Sequence, residues 1–333
     1  MLVLGIESSC DDAAAAVIET DAPGKVRVRA NVVANQDDVH RAYGGVVPEL
    51  ASRSHLITIT PVIERALDSA DLELSDIDGI AVTRGPGLVG SLLVGLMCAK
   101  GLAHRSGIAM VGVNHLEGHL LAPLLEHRIA MPYLALVVSG GHTALYAVRE
   151  FGAYQRLGRT RDDAAGEAFD KVAKLMGLGY PGGRVIDRLS RKGNTNAVRL
   201  PVARVRGAPL DFSFSGIKTA VALVLKQHDG ALVPADLAAS FQERVVEMLI
   251  RPTLTAASQI GARTIALTGG VAANSRLRLK LEHAAASIGC GLVAPSFQYC
   301  TDNAAMIALA GSYRLLRGEK DPLDIDAEAS LAL

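Results

Sequence analysis

The apolar run Leu2-Val3-Leu4-Gly5-Ile6 breaks at Glu7 into a turn of small and acidic residues, Ser8-Ser9-Cys10-Asp11-Asp12, and no other feature constrains the fold as much. It predicts a strand over Leu2–Glu7, a second over Ala13–Glu19 and, after a loop, a third over Val26–Ala34, which is a meander of antiparallel hairpins. A helix (Glu49–Ala70), a strand (Gly79–Thr83), the turn Arg84-Gly85-Pro86-Gly87, a helix (Leu88–Arg105) and a strand (Ala109–Val113) are expected to follow. The plan then recurs. Tyr133–Val138, Ala144–Arg149 and a stretch near Tyr154–Arg159 read as three strands, the first two joined by the turn Ser139-Gly140-Gly141-His142-Thr143. Helices are expected over Asp163–Met176, Ala235–Ile260, Val271–Ile288 and Asn303–Leu316, with a strand at Arg263–Leu267.

A three-strand meander followed by helix-strand alternation, occurring twice, implies an internal duplication at the level of structure rather than sequence. Two such lobes facing each other make the α/β architecture of actin, the sugar kinases and the heat-shock ATPases. There, two RNase H-like halves flank a nucleotide cleft, and each first hairpin turn approaches the phosphates. A length of 333 residues suits two lobes. The first is placed at residues 1–130, with 300–333 expected to pack back on it, and the second at 131–299. His127-Arg128-Ile129-Ala130-Met131-Pro132 interrupts the periodicity and marks the boundary.

Basic and acidic residues balance at 34 each, so no global field announces a nucleic-acid partner, and any such surface must be local. Trp is absent and aromatics are 4%, which argues against a large base-stacking platform. No uncharged apolar run approaches the roughly 18 to 20 residues of a membrane span. The longest, Leu88–Ala103, is punctuated by glycine and carries Lys100, and the N-terminus lacks the basic lead-in of a signal peptide. Cys10, Cys98, Cys290 and Cys300 lie far apart without a Cys-x-x-Cys pair, so a reducing cytoplasm is the simplest home.

Several short segments carry chemistry, each beside a plainer reading. In His115-Leu116-Glu117-Gly118-His119 the histidines stand four apart, so on a helix both imidazoles reach one ion, although an ordinary surface helix can carry the same pair. A metalloprotease reading fails on geometry: at ~100° per residue, Glu117 points away from the histidine face. The turn from Val137 and Val138 through Ser139-Gly140-Gly141 lets backbone N–H groups converge on an anion, or is a simple hairpin. Its counterpart places Asp11 and Asp12 where phosphate would lie, so Asp11 reads either as a partner of metal, water or the attacking amine, or as an Asx-turn. Thr268-Gly269-Gly270 with Asn274 opens a helix after a strand, which suits close approach to an adenosine. Asp163, Glu167 and Asp170 share a helix face; Asp170, with Gly182-Gly183 and Asp187, could hold ribose hydroxyls or be merely solvated. Arg184, Arg188, Arg191, Lys192, Arg199, Arg204 and Arg206 form a basic block that suits a phosphate backbone or a solvated loop. Asp302, by itself, reads as part of a helix N-cap.

Taken in order, these segments resemble the TsaD/Gcp family across essentially the whole chain. The resemblance rests on Gly5-Ile6-Glu7-Ser8-Ser9-Cys10-Asp11, the His115–His119 segment, Val138–Thr143, the run Asp162 to Lys174, Phe212-Ser213-Phe214-Ser215-Gly216-Ile217-Lys218-Thr219, Gly269–Asn274 and Thr301-Asp302-Asn303. It implies that His115, His119 and Asp302 hold one metal, iron first and zinc as the alternative. It also implies that Val137, Val138, Ser139, Gly140, Gly141, Asp170, Gly183, Asp187 and Asn274 contact an adenylate. Archaeal members place a Tyr ligand where this chain has Val137, so the resemblance is to the bacterial subtype, and Ala13 replaces a Thr common in the family.

The implied reaction moves a threonylcarbamoyl group from threonylcarbamoyl-AMP to the N6 amine of the tRNA adenosine just 3′ of the anticodon, with Asp11 as the candidate proton acceptor. The implied partners are tRNA, a smaller non-catalytic paralogue (TsaB type) and a P-loop ATPase (TsaE type), with no membrane. Two rivals share the fold: a small-molecule kinase or ATPase, and a non-catalytic nucleotide-gated scaffold.

Overall fold

In the computed structural model, which describes residues 1–22, 25–228 and 233–333, the chain divides into two compact units, residues 1–128 with 295–333, and 129–294. The tip of the loop expected between the second and third strands, at 23–24, lies outside the described residues.

The first unit opens with β1 (Leu2–Glu7), β2 (Ala13–Ala22) and β3 (Lys25–Ala34), followed by α1 (Asp37–Arg41), α2 (Pro48–Ala70), β4 (Gly79–Gly85), α3 (Val89–Ser106), β5 (Ala109–Asn114) and α4 (His115–Leu121). Its sheet runs β3-β2-β1-β4-β5, with the β1-β2 and β2-β3 pairs antiparallel and the β1-β4 and β4-β5 pairs parallel. Helices cover both faces of β1, which is why it reads as an unbroken apolar run. Leu4 and Ile6 face a core shared with Ile59, Val62, Ile63 and Ala66 of α2 and Leu96, Ala99 and Ala103 of α3. The opposite face takes α11 (Ala304–Leu316), which follows the short α10 (Phe297–Cys300) and packs across β1, β2, β4 and β5. Ala304 to Ala310 are all essentially unexposed, the mark of a helix buried all round. Small residues permit this approach. A Cβ on Gly5 would stand 2.2 Å from the Ala304 carbonyl oxygen, and one on Gly311 would stand 2.3 Å from Ala81 Cβ.

The second unit repeats the plan with β6 (Tyr133–Val138), β7 (Thr143–Glu150), β8 (Ala153–Arg159), α5 (Ala165–Leu175), α6 (Gly182–Ser190), α7 (Ser215–His228), α8 (Pro234–Ile260), β9 (Thr264–Thr268), α9 (Ser275–Ser287) and β10 (Gly291–Val293). Its order, β8-β7-β6-β9-β10, copies the first sheet with the same parallel and antiparallel pattern. Phe169 of α5 meets Phe241 of α8 edge-on, ring centres 5.2 Å apart, in its core. The structure departs from the sequence reading in several places. Asp163 precedes α5 instead of lying within it, Val271 lies in a 3-10 turn so that α9 begins only at Ser275, and α1, α6, α7, α10 and β10 are additional elements. The start of α7 is made by Asp162, whose carboxylate accepts from the Ser213 and Ser215 hydroxyls (2.6 and 2.8 Å) and the Phe214 amide (2.7 Å). Burial alone would raise that carboxyl; these hydrogen bonds outweigh it and hold it below the ordinary value.

The close approach of α11 predicts opposite effects at two glycines. Gly5→Ala forces a methyl group into the α11 backbone and should cost about 1–3 kcal/mol. Gly101→Ala, on an exposed position of α3 where a Cβ meets nothing within 4 Å, should stabilise by about 0.8–1 kcal/mol. Urea midpoints at constant slope measure both, and a Gly5→Ala protein as stable as the parent would refute the packing described.

Candidate metal centre and nucleotide turns

Parallel strands end together, so β1, β4 and β5 deliver Glu7, Thr83 and Asn114-His115 to one edge of the first sheet. Asn114 accepts the Leu116 amide (2.9 Å) and thereby caps α4, which begins at His115. The helical spacing stacks His115 and His119, ring centres 4.7 Å apart and nearly perpendicular, and both are buried. Asp302 comes from the far end of the chain. Asn303, not Asp302, caps α11 by accepting the Met306 amide (3.0 Å), which leaves Asp302 to turn towards the imidazoles.

Asp302 Oδ1 lies 3.6 Å from His115 Nε2 and 3.2 Å from His119 Nε2, and one ligand atom from each residue falls within 4.8 Å of the others. Ligands about 2.0–2.2 Å from a shared ion stand roughly 2.8–3.6 Å apart in octahedral or tetrahedral geometry. Both separations to Asp302 fall in that span, and the three side chains together form a group that could hold one ion. Their donor set, two imidazoles and a carboxylate, leaves coordination positions for substrate oxygens.

Behind the ligands stands Glu7, fully buried, a residue the sequence reading did not single out as functional. Its Oε2 pairs with His115 Nδ1 (2.9 Å) and accepts from the Thr83 hydroxyl (2.7 Å), and its Oε1 accepts the Ser9 amide (2.5 Å). Ser9 Oγ is 3.1 Å from the same ring nitrogen. With Nδ1 committed, Nε2 is the atom of His115 left to face Asp302 and a metal. An acid closing an otherwise apolar central strand was the available signal, since buried acids rarely lack a partner. Burial alone would raise the Glu7 carboxyl; the charge and hydrogen bond of His115 outweigh it and hold it below the ordinary value. Burial works against the charged His115 ring, but Glu7 and Asp302 overcome it and push the ring up to about 9.

The turn after β1 adds two carboxyl groups. Asp11 is half-buried; Asp12 hydrogen-bonds Asn35 (2.8 Å), and burial together with Asp302, Asp11 and Asp37 pushes its carboxyl up to about 8. Burial, with Asp11 and Asp302, also pushes the Cys10 thiol well above its ordinary value, so Cys10 is no ready nucleophile. This crowd of carboxylates favours a cation.

In the second unit the strand ends of β6 and β9 again lie side by side, Val137 opposite Thr268, so Ser139-Gly140-Gly141 neighbours Gly269-Gly270. Val137 and Val138 are fully buried; the Ser139 carbonyl accepts the Gly166 amide (3.2 Å), while a Cβ at Gly140 or Gly141 would meet nothing within 4 Å. Gly269, at φ +91°, tucks against Val138. Asp170 accepts the Gly182 amide (2.7 Å) at the start of α6, beside Gly183, whose Cβ position is also open. Asp187 Oδ1 accepts the Ser275 hydroxyl (2.8 Å) and its Oδ2 pairs with Arg191 (2.9 Å). Asn274 caps α9 through the Leu277 amide (2.9 Å) and donates to Gln242 (2.8 Å). Thus Asp187 and Asn274 converge at one helix start and the glycine turns at adjacent strand ends, with structural partners already engaged. The basic side chains from Arg184 to Arg206 are all exposed.

Two pH effects follow. Because the folded value of Asp12, about 8, exceeds its ordinary 3.8, the native chain holds the proton more tightly and stability falls as pH rises between those values. Asp12→Asn should therefore raise the melting temperature of metal-free protein at pH 8 and leave it unchanged near pH 4. His115 must shed a proton before Nε2 can bind an ion, so Zn2+ affinity should climb about tenfold per pH unit from pH 7 to 9; competition with a chelator reads it, and a flat profile would contradict the charged ring.

The model of the family described as TsaD, tRNA N6-adenosine threonylcarbamoyltransferase, matches residues 27–309. The tRNA N6-adenosine threonylcarbamoyltransferase of Anaeromyxobacter dehalogenans (strain 2CP-C) is 53% identical over 335 residues, covering 99% of each chain. That of Syntrophotalea carbinolica is 52% identical over 336 residues, covering 100% of this chain and 97% of its own. Among solved structures, component A of the Acidaminococcus fermentans (R)-2-hydroxyglutaryl-CoA dehydratase superposes with a TM-score of 0.56 at 16% identity, covering 95% of this chain and 99% of that one. Full-length HypF superposes with a TM-score of 0.63 at 12% identity, covering 96% of this chain and 47% of that one. The fold is that of the actin-like ATPases. With its sequence matched end to end, the chain belongs to the TsaD family of tRNA N6-adenosine threonylcarbamoyltransferases.

Proposed function

We propose that this chain transfers the threonylcarbamoyl group of threonylcarbamoyl-AMP to the N6 amine of the tRNA adenosine just 3′ of the anticodon, releasing AMP. The convergence of His115, His119 and Asp302 beside a buried, fully hydrogen-bonded Glu7 carries the reading. In the reaction the amine nitrogen bonds to the carbamoyl carbon, the bond from that carbon to the phosphate oxygen breaks, AMP leaves with the electron pair, and the amine loses one proton. No protein nucleophile is needed. His115, His119 and Asp302 would hold a divalent ion, which would supply Lewis acidity towards substrate oxygens. The donor set suits Fe2+, the first assignment, and Zn2+, the alternative that metal analysis of the purified protein separates.

The remaining work falls to the chain's own groups. Amides of the Ser139-Gly140-Gly141 turn hold phosphate oxygens, while Val137 and Val138 hold that turn in place. Asp170, Gly183, Asp187 and Asn274 bind the nucleoside, which fixes the distance of attack. Asp11 accepts the amine's proton. The exposed basic run Arg184 to Arg206 supplies a local surface for the tRNA backbone.

The partners are a smaller non-catalytic paralogue and a P-loop ATPase. Exposed apolar side chains on the packed pair α2 and α3, Leu56, Ile57, Val89, Leu93 and Met97, support docking of that paralogue. The compartment is the cytoplasm. The four cysteines are free, and among the described residues no helix is long and apolar enough to cross a membrane. No observation favours the kinase or scaffold readings.

Incubation with both accessory proteins, threonylcarbamoyl-AMP and unmodified tRNA, followed by digestion and mass analysis of the nucleosides, should yield threonylcarbamoyladenosine. His115→Ala should abolish it. Asp11→Asn should keep adenylate binding and cut turnover roughly 100-fold or more, within the usual span of general-base contributions; unchanged turnover removes Asp11 from the mechanism.

A further inference from the structure

The stretch after α11 is pinned along the ends of β4 and β5 through its own main-chain groups. Arg84 Nε donates to the Asp326 carbonyl (2.9 Å), the Glu328 amide donates to the Arg84 carbonyl (2.9 Å), and the Gly87 amide donates to the Ala329 carbonyl (3.2 Å). A Cβ on Gly85 would stand 2.1 Å from the Glu328 carbonyl oxygen, so the contact depends on glycine there. Further along, Asn114 Nδ2 donates to the carbonyls of both Leu331 (3.3 Å) and Ala332 (3.2 Å).

Two of these contacts lead to His115. Asn114 holds the tail with its amide nitrogen and caps α4 with its amide oxygen, so one side chain joins residues 331 and 332 to the first turn of the metal-ligand helix. Gly87, held by Ala329, precedes Leu88, whose amide donates to the Ser9 carbonyl (2.7 Å); a Cβ on Gly87 would come within 2.4 Å of that oxygen. Ser9 Oγ in turn lies 3.1 Å from His115 Nδ1. The tail thus reaches the same imidazole through the helix cap and through the turn after β1. A seven-residue helix cannot hold itself in water, so α4 depends on its cap and its packing.

We propose that residues 326–332 are a positioning strap for the metal centre, with Asn114 as the residue that couples it to α4. The strap fixes where α4 starts and where the Ser9 backbone lies, and through them the ring of His115. The inference rests on the metal reading above. Outer supports of this kind commonly change metal affinity by about 10–100-fold. Coupling is reciprocal, so a bound ion should tighten the strap by the same factor.

The test compares the parent, a form ending after Ala327, and Asn114→Asp. The aspartate keeps an acceptor for the Leu116 amide but replaces the donor facing the two carbonyls with an oxygen. Zn2+ affinity by chelator competition should fall about tenfold or more in both altered proteins. Amide exchange of Leu116 to His119 in metal-free protein should quicken in both, and Zn2+ added to the parent should slow exchange at Gly87 and Glu328. If the shortened chain fails to fold, Asn114→Asp decides. Parental Zn2+ affinity together with parental α4 exchange in Asn114→Asp overturns the strap. A parent that binds no Zn2+ overturns the metal reading instead, and α4 exchange then judges the strap alone.

Discussion

A carboxylate without solvent is expensive unless donors surround it, and Glu7 obtains donors from three different elements: the Thr83 hydroxyl, the Ser9 amide and the His115 ring. Those partners sit on β4, the turn after β1, and α4, so making the burial tolerable also locks together the pieces that form the candidate metal centre. The tautomer of His115 follows. With Nδ1 occupied by Glu7, the lone pair that can serve an ion lies on Nε2, on the side of Asp302. Removing Glu7 would therefore disturb the strand ends and the ligand orientation at once.

The two units answer one topological problem with different chemistry. Each sheet ends its parallel strands together, beside a hairpin turn from its first strand pair. In the first unit that turn bears Asp11 and Asp12 and neighbours two imidazoles, an environment that draws cations. In the second it bears Gly140 and Gly141, with open space where side chains would be, an environment in which main-chain N–H groups reach an anion. Duplication of the backbone plan did not duplicate the chemistry of the turn.

Much of this was legible in the residues. The apolar runs at β1 and β6 announced central strands because such strands are covered on both faces, and the long helices showed in their periodicity. The start of α9 was misplaced: Gly269 takes a left-handed φ and a 3-10 turn consumes Val271 before Asn274 caps the helix. The helix α6 escaped notice because it begins with two glycines, a composition that reads as loop, and the start of α7 depends on Asp162, a long-range contact no local window contains. In the site, His115 and His119 were visible from their helical spacing. Asp302 was not, since nothing near it in sequence distinguishes a ligand from a cap, and only the family resemblance supplied it. Glu7 and Asn114 carried local signals, an acid ending an apolar strand and an Asn just before a helix, but what each holds lies in another part of the chain.

Asp302 reaches His119 across 183 residues, and the whole second unit is threaded between them. During synthesis, the two histidines emerge long before their carboxylate, and a growing chain can offer an ion only two nitrogens. Complete coordination becomes available once α11 has docked on a sheet made much earlier. Bringing all three side chains together is therefore a late event in the life of each molecule, and the assembled trio distinguishes a first unit on which α11 has docked from one still waiting for it.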